Sequence, residues 1–186
     1  MLLFVVILGI IVLLGVTLYN SLVAKKNQVQ NVFASIDALL KKRYDLIPNL
    51  ISTVQTYMQY EKQTLTEITE IRAQAVSPQI TDDQKINLDN KISRALGGLM
   101  VAVENYPQLK ANQNFMQLQG ALNEIEEQVS AARRAYNAAV TDYNNAVEMF
   151  PTNFVASMMH YTRKQVFEIS KEQRQNVNVK NLFNKN

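Results

Sequence analysis

The chain of 186 residues contains no cysteine, which excludes a disulfide framework, a thiolate metal site, a catalytic thiol and lipid attached through cysteine. Glycine (5) and proline (4) are scarce, too few for a turn-rich β architecture, whereas Ala, Leu, Gln, Glu, Lys and Met are plentiful and favour helix. Histidine occurs once, as His160, and the residue three before it is Ser157. The paired Glu-x-x-His motifs of a helical-bundle metal site therefore cannot be assembled, and His160 reads as a surface or helix-end residue. No G-x-S-x-G, Walker A, G-x-G-x-x-G or H-E-x-x-H pattern occurs, and a hydroxyl nucleophile would find no ready base. The expectation is a protein that is not an enzyme and takes no metal and no cofactor.

Charge of one sign is also lacking. The 19 basic and 16 acidic residues leave a net charge of +3, but the two signs are interspersed and only short clusters such as Lys41-Lys42-Arg43 stand out. That pattern offers no continuous basic face, so nucleic acid is not an expected partner.

The first 24 residues carry no charged side chain at all. From Leu2 to Leu18 the chain is almost wholly Leu, Ile, Val and Phe, and at about 1.5 Å per helical residue this run crosses a hydrocarbon core of about 30 Å. A cleaved secretion signal would need a basic start and a small-x-small cleavage site, and neither is there. Residues 1–19 are therefore expected to be an uncleaved transmembrane anchor, with the lipid bilayer as a partner and Tyr19 at the interface. Lys25 and Lys26 follow the span with no Lys or Arg before it, so the positive-inside bias places the N-terminus outside and the rest of the chain in the cytoplasm.

What is abundant is helical periodicity. Val29, Phe33, Ile36, Leu40, Ile47, Leu50, Val54, Tyr57, Leu65 and Ile68 recur at mostly three- and four-residue steps, predicting a first bundle helix over about 20–76 with one buried stripe. No Gly, Pro or cap separates it from Tyr19, so anchor and bundle helix are expected to form one rod. Pro48 should kink this rod near Asp45, because a mid-helix proline removes a hydrogen bond at a cost of about 3 kcal/mol. Thr81-Asp82-Asp83-Gln84 is a capping-box pattern that should open a second helix. Its stripe runs Leu88, Ile92, Leu96, Leu99, Val103 and Tyr106, until Pro107 stops or bends it. Gly97-Gly98 inside it weakens the helix by roughly 2 kcal/mol relative to alanine, which points to a close backbone contact, with a hinge as the alternative.

The clearest period is Phe115, Leu118, Leu122, Ile125, Val129, Ala132, Tyr136, Ala139, Tyr143, Ala146 and Phe150, a coiled-coil-type seam in a third long helix. Small Ala132, Ala139 and Ala146 alternate with large Tyr136, Tyr143 and Phe150, so a partner helix can approach and be locked by the rings. Pro151 ends the seam. A short fourth segment from Asn153 to His160 carries Phe154, Val155, Met158 and Met159 and is expected to cap the bundle end, with a partner or membrane surface as the alternative. The expected organisation is thus all-α: an anchor at 1–19, an elongated antiparallel bundle of three long helices and one short helix at 20–160, and a polar tail at 161–186.

Several segments carry a family resemblance: Tyr19-Asn20-Ser21-Leu22-Val23, Ile36-Asp37, Arg43-Tyr44-Asp45-Leu46-Ile47-Pro48-Asn49-Leu50, Asn105-Tyr106-Pro107-Gln108-Leu109-Lys110-Ala111-Asn112, Arg133-Arg134-Ala135-Tyr136-Asn137 and Phe150-Pro151-Thr152-Asn153. On these the chain resembles the LemA family of bacterial membrane proteins along nearly its whole length. Tyr44 is a departure, since members often carry histidine or another residue there. The resemblance implies an N-terminal anchor in the bacterial plasma (inner) membrane, an N-out topology and a long helical cytoplasmic domain, and it implies no reaction.

Arg43 and Glu61 fall on the apolar stripe, where a charge is costly unless paired. Pairing inside the bundle is one reading. The sharper one makes Arg43, Asp45 and Asn49 a polar notch beside Pro48, where freed backbone groups receive a partner. Tyr106, Pro107, Tyr136, Tyr143, Phe154 and Met158 complete the candidate interaction residues. The function expected is a non-enzymatic membrane-anchored scaffold or adaptor that binds itself or another membrane or cytoplasmic protein. The alternative is a membrane-shaping protein that assembles laterally on the bilayer.

Overall fold

The computed structural model describes residues 1–167. Among them every regular element is a helix: α1 (Leu2–Gln55), α2 (Lys62–Ala75), α3 (Asp82–Val103), α4 (Pro107–Lys110), α5 (Gln113–Glu148) and α6 (Thr152–Met158).

The apolar run and the first bundle helix are one rod, as the absence of any breaker required. At about 1.5 Å per residue, the 54 residues of α1 extend for about 80 Å. Every residue from Leu2 to Leu18 is exposed except the half-buried Leu18, whereas beyond it Leu22, Val29, Phe33, Ile36, Leu40, Ile47, Leu50 and Val54 are buried. The helix does not run to residue 76. It ends at Gln55, and residues 56–61 turn the chain into α2. No glycine or proline marks this turn; Met58, 1% exposed, plugs the core there, and the Tyr57 hydroxyl accepts from Asn112 Nδ2 at 3.1 Å.

The expected capping box is formed, with the Gln84 amide donating to Thr81 Oγ1 and the Thr81 amide to Gln84 Oε1. Two free amide groups at the start of α3 are thereby satisfied. A Cβ added at Gly97 or Gly98 would meet nothing within 4 Å, so the pair faces open space and the expected close backbone contact is absent. Pro107 supplies the first residue of the short α4, where its missing N–H costs nothing. Asn112 caps α5 by accepting from the Phe115 amide at 3.0 Å.

Pairings along the rod set the directions of the helices. Phe33 meets Tyr136, Arg43 meets Glu126 and Tyr57 meets Asn112, so α5 runs antiparallel to α1. Asp37 pairs with Lys85 and Arg43 with Asp89, so α3 runs parallel to α1. One continuous apolar core joins these helices and α2. On α5 the seam residues Phe115, Leu122, Val129, Tyr136, Ala139, Tyr143 and Ala146 are buried, but Phe150 is 86% exposed. Helix α5 ends at Glu148, so Phe150 lies past the last turn and leaves the seam.

Two expectations for the C-terminal part change. In α6 only Ala156 is buried, while Phe154 is 71% and Met158 70% exposed; they do not cap the core. Residues 161–167, the start of the expected polar tail, lie along α5 with Phe167 only 3% exposed. The remaining tail lies outside the described residues.

Candidate functional site

Burial of charge is the most demanding feature of this core. Asp89 on α3 is fully buried and lies between two guanidinium groups. Arg43 of α1, 4% exposed, donates through Nη1 to Asp89 Oδ1 and to Ser93 Oγ, both at 3.0 Å. Arg133 of α5 donates through Nη2 to Asp89 Oδ2. Glu126 of α5 brings Oε2 to 2.9 Å from Arg43 Nη2, near enough for an ion pair though not aligned as a hydrogen bond. Two cations and two anions thus balance where three helices meet. A buried ion pair adds little net stability over an apolar equivalent, but removing one member leaves a charge uncompensated. The cluster therefore fixes the register of α1, α3 and α5.

Pro48 creates a second polar demand. It has no N–H to give the Tyr44 carbonyl one turn earlier. Arg72 of α2 meets the demand by donating Nε to Tyr44 O at 2.8 Å. The carbonyl freed by the proline is thus the docking point of α2, and α1 continues through Pro48 as helix.

A third arrangement holds residues 161–167. Asn137 accepts from the Phe167 amide at 2.8 Å and donates to the Phe167 carbonyl at 2.9 Å. Asn144 does the same for Lys164, at 2.9 and 3.0 Å. Seven helical residues span about 10.5 Å and three extended residues about 10 Å, so the two repeats match. The Phe167 ring packs edge-on against Tyr136 and under the Arg133 guanidinium.

The tyrosines in this core stay neutral. Burial, aided by the Asp89 charge, raises the Tyr44 phenol far above its ordinary range. Tyr136 is pushed up to about 12 by burial and then by Asp82 and Asp83. Burial, and then Tyr161, raises Tyr143.

The expected notch is not one site. Arg43 points inward to Asp89. Asp45 is exposed, pairs with Lys41 at 2.8 Å and borders a shallow groove of about 410 Å³ that also touches Arg72 and Lys85. Asn49 borders a different groove of about 430 Å³, shared with Asn114 and Gln117 of α5. Tyr136 and Tyr143 are buried within the chain's own core. Tyr106 is half-buried ahead of Pro107, whereas Phe154 and Met158 are exposed. Glu61, half-buried, sits at the start of α2. His160 follows α6, exposed, with φ 53°.

Sequence reading passed over Asp89, Glu126, Asn137 and Asn144. The signal for Asp89 was its place between Ile86 and Ile92 on the α3 stripe, and for the asparagines their seven-residue repeat beside Tyr136 and Tyr143. Among the described residues no group of three or more His, Asp or Glu side chains is placed to hold a metal ion.

Comparison with known proteins supplies kinship. Residues 32–181 match the family model described as "LemA family". "Protein LemA" of Metamycoplasma hominis is 27% identical over 181 residues, covering 97% of this chain and 83% of that protein. "Magnetosome protein MamQ 2" of Paramagnetospirillum magneticum is 21% identical over 175 residues, covering 81% of this chain and 64% of its own length. "Magnetosome protein MamQ" of Magnetospirillum gryphiswaldense is 27% identical over 82 residues, covering 44% and 30%. None of these names states a reaction, and with the exposed apolar first third of α1 the kinship marks a membrane-associated protein. A helical chain built around these buried polar links, and matched by the family model over most of its length, belongs to the LemA family.

Proposed function

We propose that this protein is a membrane-anchored scaffold that presents its helical bundle in the cytoplasm for contact with other proteins. The observation that carries the reading is the continuity of α1: one helix is exposed and apolar from Leu2 to Leu18 and then supplies a buried stripe of the bundle. A bundle built onto its own anchor is held at a set distance from the bilayer. Lys25 and Lys26 beyond the span favour a cytoplasmic bundle and an outward N-terminus, here in a bacterial plasma membrane. The one buried carboxylate among the described residues, Asp89, is taken up by Arg43 and Arg133 as a link between helices.

The far end of the bundle is the place to look for a partner. Tyr60, 92% exposed, lies in the α1–α2 turn, beside an open groove of about 980 Å³ lined by Gln55, Met58, Lys62 and Leu65. The test is a photoreactive residue at Tyr60 and at Gln117 of the full chain in living bacteria, with adducts identified by mass spectrometry. A reproducible foreign protein supports the scaffold. Adducts only to further copies favour the alternative, lateral assembly that shapes the membrane, and the absence of any specific adduct at both positions removes the scaffold.

A further inference from the structure

Large apolar side chains that stay exposed cluster at one corner outside the first helix turns. Met149, Phe150, Phe154 and Met158 are 62%, 86%, 71% and 70% exposed, all within the α5–α6 corner. Elsewhere in the bundle such residues stand apart, as Tyr60, Val76, Val101 and Met116 do. Scattered exposed apolar residues are ordinary, but a contiguous group marks a contact surface.

The fold puts this corner beside the emerging span. Leu22 of α1, fully buried, packs with Ala146 of α5 and Ala156 of α6 in a small core of their own. Because α5 runs antiparallel to α1, each residue after Ala146 moves about 1.5 Å back toward the apolar end of α1. Up to Glu148 this carries α5 about 3 Å past Ala146 in that direction, and α6, which follows Met149 and Phe150, packs against α1. Among the described residues the buried side chain of α6 is Ala156, and Phe154 and Met158 point away from it into the open.

We propose that the α5–α6 corner is a second membrane-contact site, in which Met149, Phe150, Phe154 and Met158 enter the interface of the leaflet from which α1 emerges. The occupant of this apolar face is lipid, because the corner packs on Leu22, four residues past the end of the exposed apolar run of α1. Methionine and phenylalanine suit the boundary of headgroups and acyl chains. Lys25 and Lys26 stand one turn above Leu22 and face the headgroup layer, with the Lys26 ammonium 4.8 Å over the Tyr161 ring. A single helix through a bilayer leaves a bundle free to tilt and rotate; a second contact beside it removes that freedom. The inference rests on the reading of residues 2–18 as a membrane span.

The experiment uses the full chain, which has no native cysteine, in vesicles of phosphatidylethanolamine and phosphatidylglycerol. An environment-sensitive fluorophore is attached in turn at Ser157→Cys on α6, Tyr60→Cys at the far end and Leu8→Cys in the span. Each is quenched by nitroxide-bearing lipid and, separately, by aqueous iodide. Lipid quenching at position 157 severalfold above that at position 60 is the expected result. In a background of Phe150→Ser, Phe154→Ser and Met158→Ser, with helicity by circular dichroism retained, position 157 should fall to the level of position 60. Position 8 quenched by lipid while position 157 behaves like position 60 overturns the second contact and leaves the span standing. Position 8 open to iodide overturns both. Should the triple variant lose its helicity, the comparison of positions 157 and 60 in the otherwise native chain still decides.

Discussion

The two parts of α1 are one helix in two surroundings. From Leu2 to Thr17 every side chain is exposed and nearly all are apolar, so the apolar surface runs all round the helix. From Leu22 to Val54 only one stripe is buried, and that stripe includes the charged Arg43. The difference teaches that an all-round apolar helix is matched to lipid, whereas a striped helix needs partners that answer its polar groups as well as its apolar ones.

The largest effect should come from removing the answer to Arg43. Asp89→Ala leaves two guanidinium groups facing each other, and loss of one member of a buried ion pair costs about 3–5 kcal/mol. Urea unfolding of the chain in detergent should show that loss; a change smaller than the error of the extrapolation would mean that the cluster is not buried in solution. Leu8→Arg should do the reverse. A central arginine costs about 2.5–3.5 kcal/mol of insertion, read as the fraction of protein resistant to carbonate extraction, while the urea midpoint of the bundle stays unchanged.

A smaller effect tests the link at Pro48. Arg72→Met should cost about 1.5–3 kcal/mol, the range for a hydrogen bond from a charged donor. In a Pro48→Ala background the restored N–H satisfies the Tyr44 carbonyl, so the same substitution should cost much less, and a double-mutant cycle measures the coupling. Equal costs in both backgrounds would separate Arg72 from the proline.

The smallest effect at neutral pH, visible only in alkali, concerns the buried phenols. Tyr136 titrates at about 12 in the fold against an ordinary value of 10.0, so the unfolded chain loses this proton first. Its contribution is whole below pH 10 and fades as pH rises through about 12. Tyr136→Phe should flatten the alkaline fall of stability measured by urea unfolding, without removing it, because Tyr44 and Tyr143 are also raised. An identical alkaline profile would show that the Tyr136 phenol is open to water.

Much of the fold was legible in local pattern. The period of α5, the capping box at Thr81 and the absence of a breaker after Tyr19 each act within a few residues, so reading them required no partner. The end of α1 at Gln55 was not legible, because residues 56–61 are tolerable in a helix and the turn is held by Met58 in the core and Tyr57 on Asn112. The candidate site was half legible. A charge at position 43 on an apolar stripe announced that a partner was needed. It did not name Asp89, 46 residues away, nor separate Arg43 from Asp45 and Asn49, which leave the helix toward different neighbours.

Sequence alone determined that this chain is helical, that its first residues are apolar on every side and that α5 has one inward face, since periodicity and hydropathy are local properties of the chain. Tertiary structure decided the rest. It chose which carboxylate answers Arg43, which donor takes the carbonyl freed by Pro48, and that Phe154 and Met158 face outward while α6 packs on α1. Those outcomes depend on which helices lie side by side, and side-chain pairing between helices carries no fixed separation along the chain.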